Sequence, residues 1–277
     1  MSRNVVASVA HPSENVVSVV VVAEDGAAIP VTLHGNAGPV VILIHGWSCS
    51  AAFWDRQTEH FARDFRVVTL DLPGHGRADP LRPSGRWSMA QYGADVAVVA
   101  DWIGADEVML VGHSMGGAVA LEAALRLGSR CRGLIGVDTF TEAAFYAGRP
   151  SHEIAMRLAV FGSDFPGTMR GMIAAIAGKG TDPDLVDWIG NAMAATDSQA
   201  ALSALEALLS WNIRPRWNLC PLPVATINSA VLARRNELIE LAGLDVRLME
   251  GVGHFPMLEN PGEFNALLAD VLKDHLA

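Results

Sequence analysis

Short apolar runs alternate with amphipathic stretches over the first half of the chain. Val16–Val22 and residues 29–34 read as two strands joined by a turn at Asp25-Gly26. Val40–Ile44 is apolar at every position, the pattern of a strand buried on both faces of a parallel sheet. Residues 53–63 have helical spacing, Arg66–Leu70 is strand-like, and Asp71-Leu72-Pro73-Gly74-His75-Gly76 must be a turn. Residues 88–103 predict an amphipathic helix with Ser88 as N-cap and Gln91 three residues on. A strand at 108–111, a helix at 114–127 ending at Gly128, and a strand at 134–137 follow. This alternation predicts a parallel sheet with right-handed crossovers.

From 139 to 217 the rhythm changes. No β-branched strand run occurs, and helical stretches fall at 141–146, 152–161, 166–177, 183–196 and 199–211. The sheet pattern resumes with a strand at 224–227, a helix at 232–242, a strand at 246–249 and a helix at 261–275. The expected fold is therefore α/β: a mostly parallel eight-stranded sheet flanked by helices, with an all-helical insertion. The core is residues 1–138 and 218–277, and the insertion is 139–217.

Composition narrows the class. Of 277 residues, 51% are apolar and 18% charged, enough for a large buried core and unlike a disordered chain. Twenty basic against thirty acidic residues leave a formal charge of −10, which repels nucleic acid and anionic membrane surfaces. Cys49, Cys131 and Cys220 are widely spaced and form neither a zinc signature nor a disulfide framework, so a reducing, cytoplasmic setting is expected. The apolar run Val16–Val22 reads as a strand rather than a signal segment, and no run reaches the ~18 apolar residues of a membrane span.

Candidate chemistry sits in three loops. Gly112-His113-Ser114-Met115-Gly116 carries G-x-S-x-G between an apolar strand and an alanine-rich helix. Such a turn exposes the serine oxygen at a helix N-terminus, and its glycines are needed because a Cβ there would clash. Ser114 is the candidate nucleophile. An oxyanion hole needs two converging backbone N–H groups. Met115, after the nucleophile, is one candidate donor, and Trp47, in His45-Gly46-Trp47 after the first buried strand, is the other. Gly251-Val252-Gly253-His254-Phe255 follows the last strand and offers His254 as general base on a loop. His45 and His75 read as loop braces, and Cys49 as a small buried residue. No phosphate-binding loop, dinucleotide fingerprint or metal-ligand spacing occurs, so no cofactor and no metal are expected.

These motifs, with Asp71-Leu72-Pro73-Gly74-His75-Gly76, occur in an order that resembles the α/β-hydrolase superfamily, specifically its small serine hydrolases with a helical cap. The resemblance spans residues 43–254. It implies that the strand C-terminal ends share one site and that the 139–217 insertion is a lid over it. Family members often carry the acid of a catalytic triad after the next-to-last strand. Here that loop, Asn228-Ser229-Ala230-Val231-Leu232, has no carboxylate. The superfamily's other position, after the strand that follows the nucleophile helix, holds Asp138, which keeps the order Ser114, Asp138, His254. Asn228 and Glu250 remain alternatives for orienting His254.

The insertion is rich in aromatic and methionine side chains, so Phe140, Trp188 and the neighbouring Phe255 are the expected substrate-binding residues. The function expected is a serine hydrolase cleaving a small, largely apolar ester, lactone or related acyl compound through an acyl-enzyme on Ser114. Carbon–carbon bond hydrolysis, perhydrolysis and cofactor-independent oxygenation on the same fold are the alternatives, with a ligand-binding receptor behind them. The partner is a small molecule, not nucleic acid or membrane, and the protein is expected as monomer or homodimer.

Overall fold

The computed structural model describes the backbone of residues 5–11 and residues 16–276 in full. Nine strands form one sheet: β1 (Val5–His11), β2 (Val16–Val22), β3 (Ala28–His34), β4 (Val40–Ile44), β5 (Arg66–Leu70), β6 (Val108–His113), β7 (Cys131–Val137), β8 (Val224–Ser229) and β9 (Leu244–Met249). Their order is β1-β2-β3-β5-β4-β6-β7-β8-β9. All eight expected strands are present, and β1 adds a ninth, antiparallel to β2 at the edge. Strands β4 to β9 pair with one another only in parallel, while β3 joins β5 antiparallel and β2 joins β3 antiparallel. Every residue of β4, β6 and β8 is buried, as strands covered on both faces of a parallel sheet require.

The core helices are α1 (Asp55–Phe61), α2 (Met89–Ile103) and α3 (Met115–Leu127). Ser88 caps α2 as expected, its hydroxyl accepting from the Gln91 N–H at 3.0 Å. Between β7 and β8 come six helices: α4 (Ala143–Tyr146), α5 (Ser151–Ser163), α6 (Phe165–Ile176), α7 (Pro183–Ala194), α8 (Ser198–Ser210) and α9 (Ile213–Trp217). The last was not expected. Pro215 lies in its first turn, where a missing N–H costs nothing. The chain closes with α10 (Ala230–Ala233), α11 (Pro256–Glu259) and α12 (Pro261–Leu276).

The expected helix at 232–242 is not formed beyond α10. Instead the chain bridges back to the insertion: Ala143 N–H donates to Glu237 O at 2.9 Å and Ile239 N–H to Thr141 O at 2.6 Å. This buries Ile239 and leaves Leu238 exposed. The insertion is tied to the core elsewhere. Glu122 of α3, almost fully buried, accepts from Trp211 Nε1 at 2.7 Å and Arg216 Nη2 at 2.6 Å. Trp47 Nε1 donates to Ala201 O at 2.7 Å, and Thr196 Oγ1 to Ser48 O at 3.1 Å. No helix of the described residues is long and apolar enough to cross a membrane.

Candidate active site

Trp47, Ser114, Asp138 and His254 follow β4, β6, β7 and β9, all at the C-terminal edge of the parallel sheet. That edge is where open α/β sheets gather their ligands. Ser114 stands between β6 and α3 with φ 52° and ψ −120°, a backbone that an L-residue adopts only under constraint. The constraint is visible. Its N–H donates to Val137 O at 2.9 Å, and its carbonyl accepts from Thr139 Oγ1 at 2.8 Å. Two glycines make the turn possible. A Cβ on Gly112 would strike the Gly116 carbonyl, and one on Gly116 would strike the carbonyls of Ile44 and His45.

Asp138 also has positive φ, 46°, and its N–H donates to Ile227 O at 2.9 Å. The turn aims its carboxylate across the sheet edge. Oδ1 accepts from Ser229 N–H at 2.8 Å, and Oδ2 lies 2.5 Å from His254 Nδ1. Both oxygens are thus used, and Nδ1 is the protonated nitrogen of the ring, leaving Nε2 free to accept. Burial works against charge on His254, but the Asp138 hydrogen bond and carboxylate, with Glu142 and Glu259, raise its pKa above the ordinary 6.5. The other residues considered lie elsewhere. Asn228 braces the turn through Thr139 O at 3.2 Å and Thr141 Oγ1 at 3.0 Å, and exposed Glu250 pairs with Arg234.

Ser114 and His254 line one cavity of about 210 Å³, whose walls are mainly apolar side chains of α5, α6, α7 and α8. Phe255 is part of its lining. Phe140 is not. With φ 72° the chain turns its ring back into the core, fully buried against Gly136 and 5.9 Å from Trp217. Trp188 is not either: it is 42% exposed and packs at a tilt against Phe53 outside the cavity, 5.0 Å between centroids. Phe145, Phe161, Met172 and Met193 take the wall positions instead. Trp47 is on the wall, with Phe161 edge-on at 5.0 Å, whereas the Met115 side chain is buried in the core. Cys49 is also on the wall, its thiol pushed far up by burial and so inert. Glu142, Arg157 and Asn236 are polar members of the lining.

The sequence profile of the alpha/beta hydrolase family matches residues 41–267. The chain belongs to that family. It is 26% identical over 249 residues to a pimeloyl-[acyl-carrier protein] methyl ester esterase of Yersinia pseudotuberculosis, covering 85% of this chain and 93% of the esterase. Among solved structures, an esterase of Exiguobacterium antarcticum superposes with TM-score 0.78 at 21% identity, over 92% of this chain and 98% of that one. Est816, an N-acyl homoserine lactone degrading enzyme, superposes with TM-score 0.75 at 26% identity, over 90% and 98%.

Around the three polar residues this α/β hydrolase carries braces that sequence reasoning did not single out. His113, inside the G-x-S-x-G motif, donates from Nε2 to the His254 carbonyl at 2.8 Å. Burial, and then the nearby His254, hold its pKa well below the imidazole range, so it stays neutral. Glu259, five residues after His254, accepts from the N–H groups of Gly253 at 2.8 Å and Phe255 at 3.0 Å. Neither contact leaves a mark on periodicity; Glu259's nearness to His254 in the chain was the sole signal. His45 is the loop brace expected of it, donating from Nδ1 to Gly46 O at 2.8 Å and accepting Leu72 N–H at Nε2 at 3.0 Å. Among the described residues no cluster of His, Cys, Asp and Glu could hold a metal ion.

Proposed function

We propose that this protein is a serine hydrolase that cleaves small, largely apolar esters or lactones through an acyl-enzyme on Ser114. The observation that carries the reading is the 2.5 Å contact between Asp138 and His254 Nδ1, on a histidine that shares a cavity with Ser114. His254 Nε2 takes the Ser114 hydroxyl proton as the oxygen attacks the acyl carbon. The backbone N–H groups of Trp47 and Met115 hold the developing oxyanion. His254 then passes the proton to the leaving oxygen, and later draws a proton from the water that releases the acid. Asp138 fixes the ring and stabilises its cationic form.

Residues 139–217 act as the cap. The mainly apolar wall supports an aliphatic or aryl acyl group, and Arg157 with Glu142 offers a polar foothold in the lining. The ester and lactone chemistry of the pimeloyl ester esterase and Est816 supports the same substrate class. Three free cysteines, two of them buried, support a cytoplasmic setting.

A p-nitrophenyl ester series of increasing chain length, offered to wild type and Ser114→Ala side by side, tests the reading. Turnover that peaks at a short to medium chain and falls on the order of 10⁴-fold in the variant is the expected result. Ester turnover that survives the substitution would refute it.

A further inference from the structure

The loop that carries His254 is held from outside the sheet, by the insertion. His254 N–H donates to Ile176 O, the last residue of α6, at 2.9 Å. Its two neighbours, Gly253 and Phe255, donate to Glu259, as described. The same Glu259 carboxylate crosses to the insertion: Oε2 also accepts Gly178 N–H at 2.8 Å and Thr181 Oγ1 at 2.5 Å. One side chain therefore gathers four donors, two from the histidine loop and two from the α6–α7 turn.

The two segments meet with no room between them. A Cβ on Gly178 would lie 2.7 Å from both Glu259 Oε2 and Gly251 O, and one on Gly253 would strike Ile176 O and Gly178 N. Backbone touches backbone here, so a shift of the turn is passed directly to residues 253–255. Met172 and Ile176 of α6 are also walls of the cavity. The helix that touches the substrate space is the helix that grips the histidine's backbone.

We propose that Glu259 is a positioning residue that locks the α6–α7 turn onto the His254 loop, so that the imidazole is in register only while that turn is docked. The proposal rests on the reading of His254 as general base. Asp138 sets the ring through its side chain, whereas Glu259 and Ile176 set the backbone from which the ring hangs. An ionised carboxylate is required, because an amide in its place keeps one acceptor oxygen and turns the other into a donor facing N–H groups. The negative charge also favours the cationic form of His254 that appears during turnover.

Glu259→Gln and Thr181→Val test this by two independent readouts. The first is amide hydrogen exchange at Gly178, Gly253, His254 and Phe255, which needs no substrate. The second is kcat, KM and the pH profile of kcat/KM on p-nitrophenyl butyrate. In Glu259→Gln, exchange at these amides is expected to quicken about tenfold or more. Its kcat falls about 10–100-fold with KM within about threefold, and the acid limb moves to lower pH. Thr181→Val keeps the carboxylate and the Gly178 N–H bond and loses one of the two cross-links from the insertion, so kcat falls by less and the limb stays.

Wild-type exchange and wild-type kcat in Glu259→Gln would overturn the proposal. So would a kcat loss matched by the loss of folded protein with the acid limb unmoved. Should Glu259→Gln not fold, Thr181→Val decides, and unchanged exchange at the His254 N–H counts against the lock. If the wild type cleaves no ester, the hydrolase reading falls, and the exchange data still decide whether Glu259 holds the loop.

Discussion

His113 donates from Nε2 to the carbonyl oxygen of His254 at 2.8 Å, so the residue before Ser114 grips the backbone of the histidine that lines the same cavity. The serine turn and the histidine loop are thereby tied to each other directly. His113 is too deeply buried to charge, and its Nδ1 lies where any Cβ on Gly46 would have to go, 2.8 Å away. Replacing His113 with Ala should lower kcat about tenfold with little change in KM, since the loss is of placement rather than of binding. Steady-state kinetics on a p-nitrophenyl ester check it. A KM effect with kcat intact would contradict it.

The pH profile follows from His254. Its pKa lies above 6.5, and as the proposed general base it must be neutral to accept the serine proton. Activity is therefore lost as pH falls through that raised pKa, and the acid limb of kcat/KM should lie above 6.5. Glu142→Gln removes one of the carboxylates that raise it, so the limb should move down while substantial turnover remains. A limb that does not move would show that Glu142 does not act on His254.

Asp138→Asn keeps the shape of the turn and removes the charge. The amide can satisfy Ser229 N–H through oxygen while turning its NH₂ toward His254 Nδ1, which favours the wrong tautomer. Loss of kcat on the order of 10⁴-fold is expected, with an unchanged melting temperature to within a few degrees. Retention of more than a tenth of wild-type kcat would exclude Asp138 as the residue that orients His254.

Arg82 offers a stability test away from the site. Its side chain is fully buried and makes two bonds to Asp95, at 2.9 and 2.8 Å, and one to Asp25 at 2.7 Å. It joins the loop before α2 to α2 itself and to the β2–β3 turn. Arg82→Met leaves two carboxylates without their cation and should cost about 3–5 kcal/mol in urea unfolding. A loss under about 1 kcal/mol would mean that water replaces the arginine at no cost.

Arg157 lies over the Phe145 ring, 5.2 Å from its centroid, on the cavity wall. Arg157→Met should raise KM for esters whose acyl group ends in a carboxylate by about tenfold and leave p-nitrophenyl butyrate nearly unchanged. Equal effects on both substrates would remove Arg157 from substrate recognition.

Much of this was legible in the sequence because it is periodic or local. The apolar runs of β4 and β6 and the glycines around Ser114 announce a two-sided sheet and a sharp turn, since burial and steric limits act on neighbours in the chain. The placement of Asp138 at a strand end also follows from order alone. Orientation does not. Phe140 and Trp188 are large apolar residues in the right segment, but a positive φ at Phe140 and a packing partner at Phe53 turn them away from the cavity. Residues 232–242 have helical spacing, yet the backbone finds strand-like partners on the insertion, 90 and more residues earlier. His113 and Glu259 act through backbone carbonyl and amide groups, and such contacts leave no residue-type signature on their partners.

Glu122 ties the end of the insertion to α3, Trp47 and Ser48 tie its middle to the β4 loop, and Glu259 ties its α6–α7 turn to the histidine loop. The proposed roof, pinned at these places and at the bridge between residues 141–143 and 237–239, behaves as a mould rather than a flap. Its chamber exists before substrate arrives, so selection falls to the width of the entrance and the length of the chamber. Such an enzyme gains nothing from an oil–water boundary. With a sparingly soluble ester, its velocity should saturate smoothly through the point where the substrate begins to form droplets.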